Sequence, residues 1–365
     1  MQENNNKIDL FLTAISPFIK SNIIDNTEKK INGKDFVIWG ENNQYPQYLL
    51  NCYENCATLQ SIINGTTDFV CGNEIKSNIP QFSIKVNNQG DTLSDIIRKI
   101  TIDYLTLGAF SLQIIRNVIG NISEIYWVDV AKLRCDEKNE VFYYCDDWGK
   151  SRCKTLVYPK FGFDDKNPTS IYYFKSNNSR NTYGSPIWSA SVKNIAIDIA
   201  INDFHLNELN NNFMGSKLIS FNNGIPDDEL KLEIEKNLND KFSGSDNAGR
   251  IMISFAQSKD NAPEIINLAT DDFAQRYEAL EKRNQEQIFV AFRAQPIIFG
   301  LQKENNGFSQ DEYLQAFALY NRTVVTPIQQ HIINTFNKIF GVDNSITITP
   351  FSVDVVEDRF NDTVQ

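Results

Sequence analysis

The chain has 365 residues, 41% of them hydrophobic and 22% charged, a size above one compact core and a composition that excludes disordered, collagen-like and fibrous proteins. Its 46 acidic and 35 basic residues give a formal net charge of -11, which disfavours a conventional DNA-binding domain because no basic surplus is available to bind phosphates. No run approaches the ~18 apolar residues that span a bilayer, and the polar start lacks a signal-peptide pattern. We therefore expect a folded protein made in the cytosol, with no membrane partner.

The sequence contains none of the common catalytic motifs. Patterns for P-loop nucleotide binding, dinucleotide binding, serine hydrolysis and zinc proteolysis are absent. The six cysteines lack CxxC pairs and are interpreted as reduced, mostly structural thiols. Cys52 and Cys56 share one helix face, but zinc would require two further ligands at suitable spacing. We expect no enzyme activity, catalytic residue, cofactor or metal.

The first 180 residues are predicted to be an α+β region. Tyr45-Pro46 opens the first helix, and a second helix with an apolar stripe ends at Gly72. A third helix begins at Thr92, where Thr92-Leu93-Ser94-Asp95 resembles a capping box, and ends at Gly108. The hydrophobic period then changes to two, which predicts antiparallel strands. These strands are 110–116, 122–128, 132–136, 141–145, 153–158 and 171–175.

A long helix is predicted next, with Ser185 as its N-cap and Pro186 in its first turn. It lasts to about Phe213, roughly 28 residues or ~42 Å. Apolar residues recur along it at spacings of three and four, interrupted only by Asn202. The stripe consists of Trp188, Val192, Ile195, Ile199, Leu206, Leu209 and Phe213. A second stripe indicates burial on more than one face, either against a neighbouring copy as well as within the subunit, or deep in a monomer core.

A compact insert and a second long helix follow. The insert is predicted to contain strands 217–221 and 250–255 and an amphipathic helix over 227–242, with an exposed turn at 243–249. The second long helix covers about 272–293 and ends before Pro296. Its inward residues are predicted to be Phe273, Tyr277, Leu280, Ile288 and Phe292.

The remaining chain is predicted as a loop over 295–308, a helix and terminal strands. Ser309-Gln310-Asp311-Glu312 is a capping box that starts the helix, which continues to about Ile339. Pro327 lies inside this helix and predicts a kink near 323–327. One or two strands are expected, at 345–350 and 353–356.

Several segments, taken in order over residues 36–348, resemble the portal proteins of tailed bacteriophages, of the lambda-like long-tailed type. No single segment is diagnostic, and the resemblance depends on their order and spacing. They are Trp39-Gly40-Glu41-Asn42-Asn43-Gln44-Tyr45-Pro46, Tyr183-Gly184-Ser185-Pro186-Ile187, Asn212-Phe213-Met214-Gly215 with Gly224, Phe242-Ser243-Gly244, Asn247-Ala248-Gly249-Arg250, Phe273 to Glu278, and Gln295-Pro296-Ile297-Ile298-Phe299-Gly300.

The resemblance implies an α+β portal fold, in a ring commonly of about twelve subunits at one capsid vertex. In this fold an α/β wing is followed by two long stem helices that flank a small α/β clip, and a kinked helix follows a tunnel loop. The implied parts are the wing at 1–185, the stem helix at 186–213, the clip at 214–271, the second stem helix at 272–293, the tunnel loop at 294–308, the kinked wing helix at 309–344 and C-terminal strands or tail at 345–365.

Three sets of site residues follow from this assignment. The DNA-facing tip of the tunnel loop is Lys303, Glu304, Asn305 and Asn306, for which an ordinary solvated loop is the alternative. The clip surface that faces the terminase and adaptors is Ser245, Asp246, Asn247 and Arg250. The stem interface between subunits is Val192, Ile195, Ile199, Leu206, Tyr277 and Leu280.

The implied function is a conduit for double-stranded DNA during packaging and ejection. The implied partners are copies of the same chain, the terminase large subunit, head–tail connector proteins, and the major capsid and scaffolding proteins. DNA would pass without sequence-specific contact, and the protein would reside in the virion. The competing interpretation is another phage structural component, such as a head–tail adaptor or a minor capsid protein.

Overall fold

The computed structural model describes residues 23–31, 33–150, 153–163, 167–176, 179–210, 217–221, 226–227, 229–234, 251–255, 273–301 and 310–352. The chain divides into two compact units. The described residues of the larger unit lie within 23–196 and 283–352, and those of the smaller unit lie within 197–282. Helices and sheets are both present, which confirms the predicted α+β class.

Three helices in the larger unit follow the local signals of the sequence. They are α1 (Tyr45–Asn55), α2 (Ala57–Cys71) and α3 (Leu93–Leu107). Pro46 lies in the first turn of α1, where its missing N–H leaves no bond unmade. Thr92 and Asp95 make both hydrogen bonds of the predicted capping box, and Gly108 ends α3 with a φ of 72°. Local sequence signals, namely the capping residues and the terminal glycine, are therefore sufficient to predict where these helices begin and end.

Most strands of the larger unit belong to two antiparallel sheets, with strand orders β5-β4-β9 and β6-β7-β8. The strands are β1 (Glu28–Lys30), β2 (Val37–Trp39), β3 (Glu74–Ser77), β4 (Ala109–Arg116), β5 (Ile122–Val128), β6 (Leu133–Cys135), β7 (Val141–Tyr144), β8 (Leu156–Pro159) and β9 (Thr169–Lys175). All six predicted strands are confirmed, as is their antiparallel pairing. Strands β1, β2 and β3 are not predicted, because runs of three or four residues are too short to show a period.

The core of the larger unit lies between the helices and the sheet β5-β4-β9. Helix α2 packs against α3, and α3 packs against β4 and β5. Ile62 of α2, Ile100 of α3 and Leu112 of β4 are completely buried. Burial of such a side chain stabilises the fold by about 1.5–3 kcal/mol.

The first long helix begins later than the sequence predicts. Ser185 and Pro186 lie in irregular chain, Ser189–Ser191 form a 3-10 turn, and α4 spans Val192–Asn210. The prediction of a helix from Ser185 is therefore wrong at its start. The predicted end at Phe213 lies outside the described residues.

Contacts with α3 explain this late start. The indole N–H of Trp188 donates a hydrogen bond of 2.9 Å to the Leu105 carbonyl, and the indole is completely buried. A Cβ on Gly108 would lie 2.2 Å from the carbonyl carbon of Ser185, and one on Gly184 would lie 2.4 Å from the carbonyl oxygen of Gly108. This close backbone approach overrides the local capping signal at Ser185, because tertiary context routinely outweighs propensity.

The last elements of the chain include a π-helical turn. The elements are α5 (Phe273–Ala291), α6 (Gln310–Tyr320), α7 (Thr326–Phe340) and β12 (Ile346–Thr349), which pairs antiparallel with β3. The π-helical turn Asn321–Val325 joins α6 to α7 immediately before Pro327. A π turn accommodates a proline that has no N–H for α-helical bonding, and it lies where the sequence predicts a kink. The kink itself stays a prediction. The second predicted strand, at 353–356, lies outside the described residues.

The smaller unit contains the paired strands of the predicted insert. Strands β10 (Lys217–Phe221) and β11 (Ile251–Phe255) are parallel over their full length. Parallel strands require a crossover connection, and residues 229–234 between them are helical. The rest of the helix predicted over 227–242 lies outside the described residues, as does the turn at 243–249.

Cys145 and Cys153 form a disulfide, with their Cα atoms 6.1 Å apart. The expectation that all six cysteines are reduced is therefore wrong. Antiparallel pairing of Tyr144 with Leu156 brings the two cysteines together at one end of the β7-β8 ladder, which their spacing in sequence cannot show. The other four cysteines, Cys52, Cys56, Cys71 and Cys135, are buried and form no disulfide.

Candidate functional site

Helix α4 carries four of the residues predicted to contact a neighbouring subunit. Val192 and Ile195 are already buried by the chain's own residues, and Ile199 is half-buried. Leu206, further along the helix, is 57% exposed, and Ile197 is 38% exposed. The exposed apolar surface of α4 therefore lies beyond its first turn, because Val192 and Ile195 already belong to the core of the chain.

Helix α5 shows the same division along its length. Ile288 and the following Phe292 are completely buried, as predicted. Leu280 is 37% exposed, so its predicted inward position is only partly achieved. The side chain of Tyr277 lies outside the described part of the chain. Leu280 therefore adds exposed apolar surface to the first half of α5, whereas Ile288, in the second half, is buried.

The predicted tip of the tunnel loop, Lys303, Glu304, Asn305 and Asn306, lies outside the described residues. The structure shows how the chain is held on either side. Before the loop, Pro296–Phe299 form a 3-10 turn that ends at Gly300, whose φ is 83°. After it, α6 begins at Gln310. The segment predicted as a loop over 295–308 therefore begins with a 3-10 turn.

Five aromatic rings, here called the aromatic anchor, fix both ends of this segment. They are Phe69 of α2, Phe289 of α5, Phe299 of the 3-10 turn, and Phe317 and Tyr320 of α6. The ring of Phe299 lies 6.0 Å from Phe289, 6.1 Å from Phe69 and 5.8 Å from Tyr320. Phe69 and Phe317 make an edge contact at 5.1 Å. Each such pair stabilises the packing by about 0.5–1.5 kcal/mol beyond its buried area.

One buried hydrogen bond completes the anchor. The hydroxyls of Tyr320 and Thr66 lie 2.7 Å apart, and Thr66 also donates to the Ile62 carbonyl at 2.6 Å. A Cβ on Gly65 would lie 2.9 Å from the Phe299 ring, so the ring packs directly on the α2 backbone. Burial raises the pKa of Tyr320 to about 12, so this hydroxyl is neutral at all physiological pH values. The sequence did not reveal the anchor, because its rings come from four separate elements.

The predicted clip residues Ser245, Asp246, Asn247 and Arg250 also lie outside the described residues. The strands that enclose them in sequence, β10 and β11, are described and pair as stated above. Among described residues, no group of three or more His, Cys, Asp and Glu side chains is placed to hold a metal ion. In that same part of the chain, no helix is both long and apolar enough to cross a membrane.

The segment Trp39 to Pro46, which supported the family resemblance, encloses a buried arginine. Arg134 is completely buried, and its guanidinium donates to the carbonyls of Asn43 at 2.8 Å and Leu133 at 2.6 Å. The guanidinium lies over the rings of Trp39 and Trp148, 5.7 and 5.1 Å from their centroids. Burial lowers the pKa of Arg134 to about 10. Asn43 can present its carbonyl to Arg134 because it adopts a left-handed φ of 63°.

The second resemblance segment meets the first in the same region. The rings of Tyr183 and Trp39 stack at 4.4 Å with an angle of 4° between their planes. The Tyr183 hydroxyl accepts a bond of 3.1 Å from the Cys135 amide, and Glu28 accepts the Tyr183 amide at 2.9 Å. These two segments are therefore structural, since they fix the fold of the larger unit.

Several solved structures share the fold of this chain. The fold matches a chain in the virion of a native gene transfer agent particle, with 14% identity, 83% of each chain covered and a TM-score of 0.52. A chain in the neck of the empty particle gives 14% identity, 84% coverage of each chain and a TM-score of 0.52. The HK97 family phage portal protein of Corynebacterium diphtheriae gives 11% identity, 79% coverage of this chain, 88% of that chain and a TM-score of 0.50. The fold is a portal-type fold.

The family model for the phage portal protein matches residues 82–355. The chain therefore belongs to the phage portal protein family, which confirms the predicted resemblance to phage portal proteins and favours a portal over a head–tail adaptor. A comparison with curated proteins found none that matches this sequence.

Proposed function

We propose that about twelve copies of this chain form a closed ring at one vertex of a tailed-phage capsid. The ring serves as the conduit for double-stranded DNA during packaging and ejection, and the chain has a structural rather than an enzymatic role. The phage is of the lambda-like, long-tailed type. Membership of the portal family supports this proposal. The neck of the empty gene transfer agent particle, which contains a chain of the same fold, has C6 symmetry, and a ring of twelve copies can have this symmetry.

The apolar side chains that remain exposed on the two stem helices are the observation that supports assembly into a ring. Leu206, Ile197 and Leu280 are 57%, 38% and 37% exposed. A ring of identical subunits needs two unlike faces that bind each other, and such faces bury apolar side chains that the free subunit exposes. We therefore assign Leu206 and Leu280, with half-buried Ile199, to the contact between neighbouring stems.

The charge of the chain supports passage of DNA without strong binding. A net charge of -11 repels phosphates, and many close cationic contacts would slow a moving duplex. The tunnel-loop tip, Lys303, Glu304, Asn305 and Asn306, combines one cation, one anion and two amides. The aromatic anchor holds both ends of this segment, so we propose that its tip is the part that faces the DNA.

The clip is the proposed docking surface for the packaging motor. We assign Ser245, Asp246, Asn247 and Arg250 to contact with the terminase large subunit and, after packaging, with head–tail connector proteins. The larger unit would contact the major capsid and scaffolding proteins during assembly. The protein would be made in the cytoplasm of the bacterial host and would remain in the virion.

Leu206→Asp tests the stem contact. An unpaired carboxylate in a buried interface is strongly unfavourable, so ring yield should fall below about a tenth of the wild-type value while helical content is retained. Native mass spectrometry measures the yield. Lys193→Glu is the control, because Lys193 is exposed on the opposite side of α4. Wild-type ring yield in Leu206→Asp would exclude this surface from the interface.

Charge reversal in the clip tests motor docking. Asp246→Lys combined with Arg250→Glu should weaken terminase binding by about tenfold or more, because rim charges steer and orient protein contacts. Ring yield should not change. Binding is measured by sedimentation of purified terminase with rings, with Lys138→Glu in an exposed turn of the larger unit as the control. Loss of rings in the clip variant would instead show that these residues serve assembly.

A further inference from the structure

The hairpin between β4 and β5 presents two aliphatic side chains entirely to solvent. Val118 is 106% exposed and Ile119 is 86% exposed, relative to an extended chain. They are adjacent at the tip of the hairpin in the larger unit, and together they are here called the knob. Two neighbouring branched residues at such exposure form a compact apolar projection.

The knob is held on a rigid turn to which its own side chains contribute nothing. The side-chain oxygen of Asn117 accepts the amides of Ile119 and Asn121, each at 3.0 Å. Arg116 donates to the Gly120 carbonyl at 2.9 Å, and Gly120 supplies the left-handed φ of 92°. Asn and Gly are the residues that such a turn requires, whereas β-branched residues are disfavoured there. The choice of Val and Ile therefore has no explanation in the turn itself.

A hollow of about 340 Å³ lies between the two three-stranded sheets of the same unit. Aromatic and aliphatic side chains, among them Trp127, Tyr144 and Leu156, form one part of its lining. The other part is polar and consists of Gln89, Gln113, Asp129 and Lys132. Leu156 is 43% exposed, so apolar surface in the hollow remains open to solvent. Hollows of this kind accept a small apolar group with a few polar contacts at the edge.

We propose that the knob of one subunit inserts into the hollow of its neighbour in the ring. This contact rests on the proposed ring. It is a second contact between neighbouring subunits, in addition to the one proposed for the stem helices. A closed ring requires two different surfaces on each subunit that bind each other, and the knob and the hollow are such a pair. The knob lies at the start of β5, whereas Tyr126 and Trp127 line the hollow near the other end of that strand. One subunit can therefore use both surfaces at once, with a neighbour on each side.

Cysteine cross-linking within purified rings tests the contact. The variant Val118→Cys with Leu156→Cys is treated with a short bismaleimide and analysed on a denaturing gel. A ladder of covalent dimers and higher multimers is expected, because each subunit supplies both partners. Cys52, Cys56, Cys71 and Cys135 are buried and Cys145 is paired with Cys153, so native thiols contribute little background.

A control cysteine pair distinguishes failure of the proposed contact from failure of the proposed ring. Val118→Cys with Lys138→Cys places the second thiol in an exposed turn before β7, whereas Leu156 lies beside Tyr144 at the far end of that strand. This control should give less than about a tenth of the cross-linking. Intact rings in which the 118–156 pair reacts no better than the control would overturn the proposed contact. A protein that forms no rings would instead contradict the proposed function.

A second variant measures what the contact contributes to assembly. Val118→Ser with Ile119→Ser keeps the turn residues and removes the apolar projection. We expect rings to dissociate at a protein concentration about tenfold or more above that of the wild type. The melting temperature of the subunit should not change, since neither side chain packs within the chain. Equal dissociation of variant and wild-type rings would contradict the proposal.

Discussion

Arg134 illustrates how a single residue organises the larger unit without any signal in the sequence. An arginine in a short strand is normally interpreted as solvent-facing. Its burial depends on Asn43, which is 91 positions away and holds a left-handed backbone conformation. Asn43 lies within a segment that resembles the portal family, but its pairing with Arg134 is not predictable from the sequence, because long-range contacts between polar groups leave no periodic pattern.

Two neighbouring carboxyl groups, buried Asp103 and half-buried Asp129, give the larger unit a pH dependence. Burial raises the pKa of Asp103 well above its ordinary value, and the nearby charge of Asp129 raises it further. Burial also raises the pKa of Asp129. Asp103 accepts the indole N–H of Trp127 at 2.8 Å, which offsets part of the effect. The folded state therefore holds protons that the unfolded chain releases near pH 4.

We predict that the free energy of unfolding decreases as pH rises from about 4 through the raised pKa of Asp103, and then levels off. Asp129→Asn should reduce this decrease, because it removes one titrating group and the negative charge near Asp103. Its amide oxygen can still accept the Ala131 amide, as the Asp129 carboxylate does. Urea midpoints at about pH 4.5 and 7.5 measure the effect. Asp35→Asn, at an exposed position, is the control; equal pH dependence in both variants would contradict the assignment.

Individual helices differ in how far their limits could be predicted. Helix α3 starts and ends where its capping box and glycine predict, because both signals act within one turn. Helix α4 starts seven positions after Ser185, because Trp188 and the Gly108–Gly184 approach fix the intervening chain. The π-helical turn Asn321–Val325 lies where Pro327 predicts a kink, because proline acts on its own backbone, but the sequence does not predict the π form of that turn.

The aromatic anchor is an element-scale feature with a measurable contribution to stability. Phe299→Ala should lower the free energy of unfolding by about 3 kcal/mol, since it removes a ring that contacts three others. Tyr320→Phe should cost only about 1 kcal/mol, because it removes the hydroxyl bond to Thr66 and keeps the ring. Urea unfolding provides both values. Leu301→Ala, adjacent and 39% exposed, is the control, and an effect of Phe299→Ala no larger than this control would show that the anchor is not formed.

At the scale of the whole molecule, the order of elements was the most predictable property. Two long helices around a small α/β insert are visible in hydrophobic periodicity, and the family match agrees with that order. The candidate site was less predictable. Val192 and Ile195 fit the stem stripe as well as Leu206 does, yet the chain buries them itself. Periodicity identifies a face of a helix, but it does not show whether the subunit or its neighbour covers that face.

The proposed function depends on the ring, and the number of subunits in the purified assembly tests it most directly. Electron-microscopy class averages of the isolated protein, viewed along the symmetry axis, measure this number. We predict closed rings of about twelve copies around a central opening, since a heterologous interface closes only at a fixed rotation. A stable monomer at high protein concentration, or an open filament, would contradict the account.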